Sequence, residues 1–141
     1  MSRIINTENP GKIRNQEMRT CAEILRRLST KPDLDREAKD MIAQLVFSLR
    51  VINDTIEHSA EVWENRDYWM KAEELRESWR WVNKMIGEIK HLVREDDWAS
   101  FPIILAGLFQ HVGHIKIKKF TRAADTWQGA YARLQEHLAE S

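Results

Sequence analysis

Residues 68–93 read YWMKAEELRESWRWVNKMIGEIKHLV, and their apolar side chains recur at alternating intervals of four and three residues. At about 100° per residue, this spacing places them on one stripe of an α-helix. The pattern predicts a single long helix from about Tyr68 to Glu95 that packs its stripe against other helices. The stripe consists of Tyr68, Ala72, Leu75, Trp79, Val82, Ile86, Ile89 and Val93.

A second segment, from about Asp35 to Asn65, has the same periodicity and predicts a second long helix. Phe47 and Val51 lie on the side of this helix that is opposite its main stripe. Apolar residues on two faces indicate a helix that is either central to its own bundle or in contact with another chain. The main stripe consists of Ala38, Met41, Leu45, Leu49, Ile52, Ile56, Ala60 and Trp63.

Shorter apolar patterns predict the remaining elements. Helices are expected at about 11–29, at about 98–113, and from 121 or 125 to 139. Residues 114–120 alternate isoleucine with lysine, which fits either a short extended strap or a helix that continues with a kink. Together the elements predict an all-α fold, an antiparallel bundle of about five helices with two long central ones.

Composition sets the broad class of the protein. The polar residues 1–10 predict an extended arm, and residues 11–141 are expected to form a single helical-bundle domain. The longest apolar run, residues 101–109, is too short to cross a bilayer, which needs about 20 residues. Cys21 is the only cysteine, so no internal disulfide is possible and a reducing compartment is expected. We therefore predict a cytoplasmic protein without a membrane partner.

Positive charge is concentrated in two separate segments, although the chain has 22 basic and 22 acidic residues. Residues 1–31 carry seven basic groups against three acidic ones, and residues 98–124 contain no acid. If folding brings these segments together, they form a surface that can neutralise phosphates. The alternatives are an internal match to the acidic residues 54–77 or an ordinary solvated surface. The candidates for nucleic-acid or anion binding are Arg3, Lys12, Arg14, Arg19, Lys116, Lys118, Lys119 and Arg122.

Four apolar residues lie away from the main helical stripes and are candidates for an interface: Phe47, Val51, Trp69 and Trp81. The two tryptophans among them suit either a partner surface or an aromatic ligand. The other four tryptophans are expected to fill space between helices, where large rings are most useful.

Candidate catalytic groups are incomplete. His111 and His114 lie one helical turn apart, which suits zinc, but no cysteine pair or nearby carboxylate completes a ligand set. Glu88 and His91 form a single Glu-x-x-His motif, whereas bundle proteins with two metal ions need two such motifs. Neither a phosphate-binding glycine loop nor a nucleophile elbow occurs. We therefore predict no metal site, no cofactor and no catalytic residue.

These observations predict a non-enzymatic helical-bundle binding protein. It is expected to form a homo-oligomer or dock a protein partner, with basic segments that are able to contact nucleic acid. The alternative is a small-molecule- or metal-dependent enzyme with a site inside the bundle, which inward polar groups among the tryptophans would favour.

Overall fold

The computed structural model describes residues 9–140 of the chain as a helical bundle, which confirms the predicted all-α fold. The helices are α1 (Pro10–Thr30), α2 (Arg36–Asn65), α3 (Trp69–Ser78), α4 (Arg80–Arg94), α5 (Phe101–Val112) and α6 (Ala130–Glu140). Two short 3-10 turns, Trp98–Ser100 and Ala124–Thr126, precede α5 and α6. The described residues form five helices if α3 and α4 are counted as one interrupted helix.

Helix α2 is the centre of the bundle. It packs against α1, α3, α4 and α6, and residues such as Ile42, Leu49 and Ile52 are fully buried. Phe47, on its other side, packs against the same hydrophobic core. Phe47 therefore packs within its own chain, as one of the two predicted alternatives requires, whereas Val51 is half-buried and is not part of this core.

The hydrophobic core is continuous and draws on five of the helices. Side chains of α1, α2, α4, α5 and α6 form one cluster, whereas Ala72 is the only buried residue of α3. Helix α3 is instead attached to α2 through Arg76, which pairs with Glu64 at 2.7 Å and with Glu57 at 3.3 Å. Polar contacts thus hold α3, while apolar burial holds α4.

The prediction of one unbroken helix from Tyr68 to Glu95 is wrong, because the helix is interrupted at Trp79. This residue has φ −112° and ψ 14°, and its N–H is shared between the carbonyls of Leu75 and Arg76, each 3.3 Å away. The apolar periodicity of the sequence continues through the break, so the sequence pattern does not indicate where the helix is interrupted. The two helices that meet at Trp79 make different contacts with the bundle. Helix α3 forms ion pairs with α2, whereas α4 buries apolar side chains in the core.

The segment before the last helix is longer than predicted. Helix α6 begins at Ala130 rather than at 121 or 125, and residues 113–123 form a non-helical strap, one of the two predicted alternatives. Asp40 of α2 accepts backbone hydrogen bonds from Gly129 at 3.3 Å and from Tyr131 at 2.9 Å. These bonds satisfy donors at the start of α6, which every helix leaves unpaired in its first turn.

The ends of the other helices follow the predicted signals more closely. Asp35 precedes α2 as its N-cap, and its carboxylate accepts a 2.8 Å hydrogen bond from the Ala38 N–H. Helix α1 begins at Pro10, and the extended arm predicted for residues 1–10 falls almost entirely outside the described residues. Within the described part of the chain, no helix has the length and apolar character needed to span a membrane.

Candidate functional site

The strap, residues 113–123, crosses α1 and is held there by arginine side chains. Because the strap lies outside helices and strands, its backbone carbonyls need other partners. Arg26 Nη2 donates to the carbonyls of Gly113 at 3.1 Å and Ile115 at 2.9 Å. Arg19 Nη2 donates to the Lys119 carbonyl and Arg27 Nη2 to the Arg122 carbonyl, both at 3.0 Å. Three successive arginines on one face of α1 therefore fix the path of the strap.

Glu23 is the acidic counterpart of these arginines. It is fully buried, and its Oε1 accepts from the backbone N–H groups of Thr121 and Arg122 at 2.8 Å each. Its Oε2 accepts from the Thr121 hydroxyl at 2.6 Å and from Arg19 Nε at 2.8 Å. Burial opposes ionisation of this carboxyl, but these hydrogen bonds outweigh burial and lower the pKa of Glu23 to about 2.

A cationic surface forms where the strap meets α1. Its side chains surround an open cavity of about 620 Å³. Among the described residues, none of those that line the cavity is acidic. We use the term cationic surface for Arg19, Lys116, Lys118, Lys119 and Arg122, which line this cavity together with Thr121. The predicted basic segments thus meet in space over part of their length.

The five cationic groups have different roles in the fold. Arg122 donates to Thr20 Oγ1 at 3.0 Å and to the Gln16 carbonyl at 2.9 Å, so part of its hydrogen-bonding capacity is used within the chain. The three lysines are exposed, and none of them forms an ion pair with a carboxylate of residues 9–140. Their ammonium groups are therefore available to an external anion.

The remaining basic candidates lie elsewhere. Arg14 turns towards α2, where Nε donates to Thr55 Oγ1 at 3.1 Å and Nη2 to Ser59 Oγ at 3.2 Å. Its guanidinium also lies 5.5 Å from the centre of the Trp79 ring, and burial lowers the pKa of Arg14. Lys12 is exposed on α1 but does not line the cavity, and Arg3 lies outside the described residues.

An aromatic cavity of about 620 Å³ lies beside the cationic surface. The rings of Trp81 and His111 are parallel within 2°, with centroids 4.0 Å apart, and Trp79 stacks on Trp81 at 6.0 Å. Residues two apart on a continuous helix point in different directions. The interruption at Trp79 is what allows Trp79 and Trp81 to stack. The cavity is lined by Asn15, Met18, Ser78, Trp79, Trp81, His111, His114 and Ile115.

Both predicted histidines line this aromatic cavity. Burial lowers the pKa of His111, which favours its neutral ring at physiological pH. Among residues 9–140, no group of three or more His, Cys, Asp or Glu side chains is placed to hold a metal ion. His111 therefore contributes an uncharged aromatic face, and His114 a polar group at the rim.

The four interface candidates are dispersed. Phe47 and Val51 are half-buried on α2, and the Arg133 guanidinium lies 5.9 Å from the Phe47 ring. Trp81 belongs to the aromatic cavity, whereas Trp69 at the start of α3 is 61% exposed. The structure does not bring these four residues together on one face.

A more extended apolar surface lies on α5. Ile103 is 75% exposed and Phe109 is 55% exposed, although both are large apolar side chains. Beside them, Pro102, Leu105 and Ala106 line a groove of about 360 Å³ between α5 and α1. The interface candidates chosen from the sequence did not include this surface. The absence of acidic and basic residues from 98 to 110 is the signal that could have identified it.

Comparisons of this chain with protein-family models, with curated proteins and with solved structures gave no match.

Proposed function

We propose that this protein is a non-enzymatic binding protein whose cationic surface contacts the phosphates of nucleic acid. The observation that carries the proposal is the arrangement of the five basic side chains around one open cavity without a lining carboxylate. The negative charge of Glu23 lies buried beneath the strap, where it is used by Thr121, Arg122 and Arg19.

Electrostatics and rigidity both support this function. Lysine and arginine side chains that neutralise phosphates release the counterions condensed on nucleic acid, which drives binding. The exposed lysines stand on a strap whose backbone is tied to α1 at four carbonyls. Their backbone positions are therefore largely fixed before binding, so less backbone entropy is lost when a ligand docks.

A triple charge reversal tests the proposal. The variant carries Lys116→Glu, Lys118→Glu and Lys119→Glu, and its binding to a labelled oligonucleotide is followed by fluorescence anisotropy over a salt series. Because about 0.7 counterions are released per contacted phosphate of a single strand, we expect the log–log salt slope to fall by about 2. We also expect affinity at about 50 mM salt to fall by at least tenfold.

A matched control reverses three exposed basic residues outside the surface, by Arg66→Glu, Lys84→Glu and Arg94→Glu. It changes net charge by the same amount, so only a local effect distinguishes the two variants. Equal loss of affinity in both variants, or no binding of the unmodified protein at about 50 mM salt, would refute the proposal.

Self-association is a second candidate function, favoured by the exposed apolar face of α5. The α5 residues of this face are uncharged, although Arg26 of α1 lies 5.8 Å from the Phe109 ring, so two copies can pair about a twofold axis with few like charges placed together. Homodimer interfaces are also richer in apolar area than ordinary surface. Sedimentation equilibrium tests this candidate: we expect a dimer that Ile103→Glu converts to monomer, while Trp69→Glu leaves it intact. A monomeric unmodified protein at all loading concentrations would exclude it.

A further inference from the structure

The aromatic cavity and the cationic surface lie side by side on the same two elements. On the strap, Ile115 lines the aromatic cavity and Lys116 lines the cationic one. On α1, Met18 lines the aromatic cavity and Arg19 lines the cationic one. Consecutive residues on both elements thus line the two cavities, which places the cavities next to each other on the surface.

The chemistry of the aromatic cavity suits a flat, uncharged ring. Trp79, Trp81 and His111 form a stacked series, and all three residues line the cavity and are only partly buried. The volume of about 620 Å³ is within the range of about 300–1,000 Å³ that is usual for small-ligand pockets. Asn15 and Ser78 add polar groups at the wall, which can bond to the edge of a heterocycle.

A nucleobase has both features, a π face and polar edges. In a duplex the faces of the bases are covered by their neighbours, whereas a single strand can present an unstacked base to a protein ring. Proteins that bind single strands combine such aromatic platforms with a positively charged groove along the backbone. The two adjacent cavities supply both parts.

We propose that the aromatic cavity binds one unstacked base of a single-stranded nucleic acid whose phosphates lie on the cationic surface. This inference rests on the proposed function, because the phosphate contacts bring the base to the cavity. It adds a preference for single strands over duplexes of the same sequence. Little base selectivity is expected, since every base has a π face.

The first test uses the unmodified protein, so it does not depend on a variant that folds. Binding to a labelled oligothymidylate is compared with binding to a strand of equal length in which the bases are replaced by abasic sites. Stacking of one base is expected to make the thymidine strand bind about fivefold to 160-fold more tightly. Equal affinity for the two strands would overturn the inference, while the phosphate contacts of the proposed function would stand.

The second test uses Trp81 variants on single-stranded and duplex probes. Trp81→Leu keeps an apolar side chain against the core but removes the ring, so we expect about tenfold weaker single-strand binding. Its duplex binding should stay within about twofold of the original value, and Trp81→Phe should restore most of the single-strand affinity. Trp69→Leu, which removes an exposed ring outside the cavity, is the matched control.

The outcomes separate the two proposals. Single-strand and duplex binding that fall together in Trp81→Leu, or an equal fall in Trp69→Leu, would overturn the stacking site. Loss of both kinds of binding in the triple lysine variant alone supports the phosphate contacts. If neither strand type binds the unmodified protein at about 50 mM salt, the proposed function itself fails.

Discussion

The carboxylate of Glu23 and the backbone N–H of Thr121 form a 2.8 Å hydrogen bond across 98 residues of sequence. The same carboxylate also accepts from the Thr121 hydroxyl, so one buried side chain on α1 fixes the conformation at the end of the strap. Charge-assisted bonds of this kind are stronger than neutral ones. The position of the cationic surface therefore depends on the ionised state of Glu23.

This dependence predicts that stability falls in acid. The pKa of Glu23 is about 2 in the folded chain, below its ordinary value of 4.5, so folding favours the ionised form. Its contribution is complete above about pH 4.5 and is lost as the pH falls towards 2. Urea denaturation at several pH values in this window measures the loss. In Glu23→Gln this part of the pH dependence should disappear, and its persistence there would contradict the assignment.

Glu23→Gln is also expected to loosen the strap at neutral pH. The amide provides one acceptor oxygen in place of two and brings its own donors towards Arg19 and the N–H groups of the strap. Loss of a buried, hydrogen-bonded charge destabilises by about 2–4 kcal/mol. Urea denaturation checks the magnitude, and faster proteolysis at Lys118 and Lys119 checks the location. The exposed Glu73→Gln on α3 is the control and should have no measurable effect.

Arg76 is predicted to hold α3 against α2. It pairs with both Glu57 and Glu64 of α2, and Ala72 is the only fully buried residue of α3. Arg76→Met should accelerate amide hydrogen exchange in α3 while exchange in α4 stays unchanged, because α4 is anchored in the core. Arg80→Met, which removes an exposed ion pair with Glu77, is the control. It should leave amide hydrogen exchange unchanged in both helices. Equal protection of α3 in both variants would argue against this role.

Two glycine substitutions are expected to have opposite signs. Gly129 has φ +78°, a conformation that disfavours a Cβ, and an added Cβ would lie 3.1 Å from Arg133 Nη1. Gly129→Ala should therefore lower the free energy of unfolding by about 1 kcal/mol or more. Gly87 lies within α4 with open space around its Cα, so Gly87→Ala should raise it by about 0.5–1 kcal/mol. Thermal or urea denaturation of the two variants gives both values, and a shared sign would be inconsistent with this geometry.

The single cysteine provides a probe of unfolding. Cys21 of α1 is fully buried in the hydrophobic core, and burial raises the pKa of its thiol. An Ellman-type reagent should therefore react very slowly with the native protein and stoichiometrically in urea. Rapid labelling of the native protein would show that α1 separates from α2 more readily than its packing indicates.

The helices of this fold were predictable because apolar spacing alone determines which face is buried. Met18, Cys21, Leu25 and Leu28 of α1 are buried at the three- and four-residue spacing of one helical face, and Asp35 caps α2. The interruption at Trp79 was not predictable in the same way. The interruption coincides with a change in how α3 and α4 are attached to the rest of the bundle, whereas the periodicity of the stripe is the same on both sides of it.

The candidate site was only partly predictable. Positive charge in the two segments was visible in the sequence, but their meeting depends on contacts such as Arg19 to Lys119, which are 100 residues apart. Arg14 was chosen for its charge, yet it is used between α1 and α2. Glu23 was missed, although it is the only acid between residues 18 and 32 and has apolar neighbours on both sides, the signal of a buried partner.

The hydrogen bonds between α1 and the strap also affect the order in which parts of the chain fold. Each of these hydrogen bonds closes a loop of 87–106 residues, the intervening helices included. Closing such a loop is entropically unfavourable until those helices have already brought its ends together. We therefore expect the cationic surface to form late in folding. A nascent or partly denatured chain carries the same lysines without the platform that aligns them.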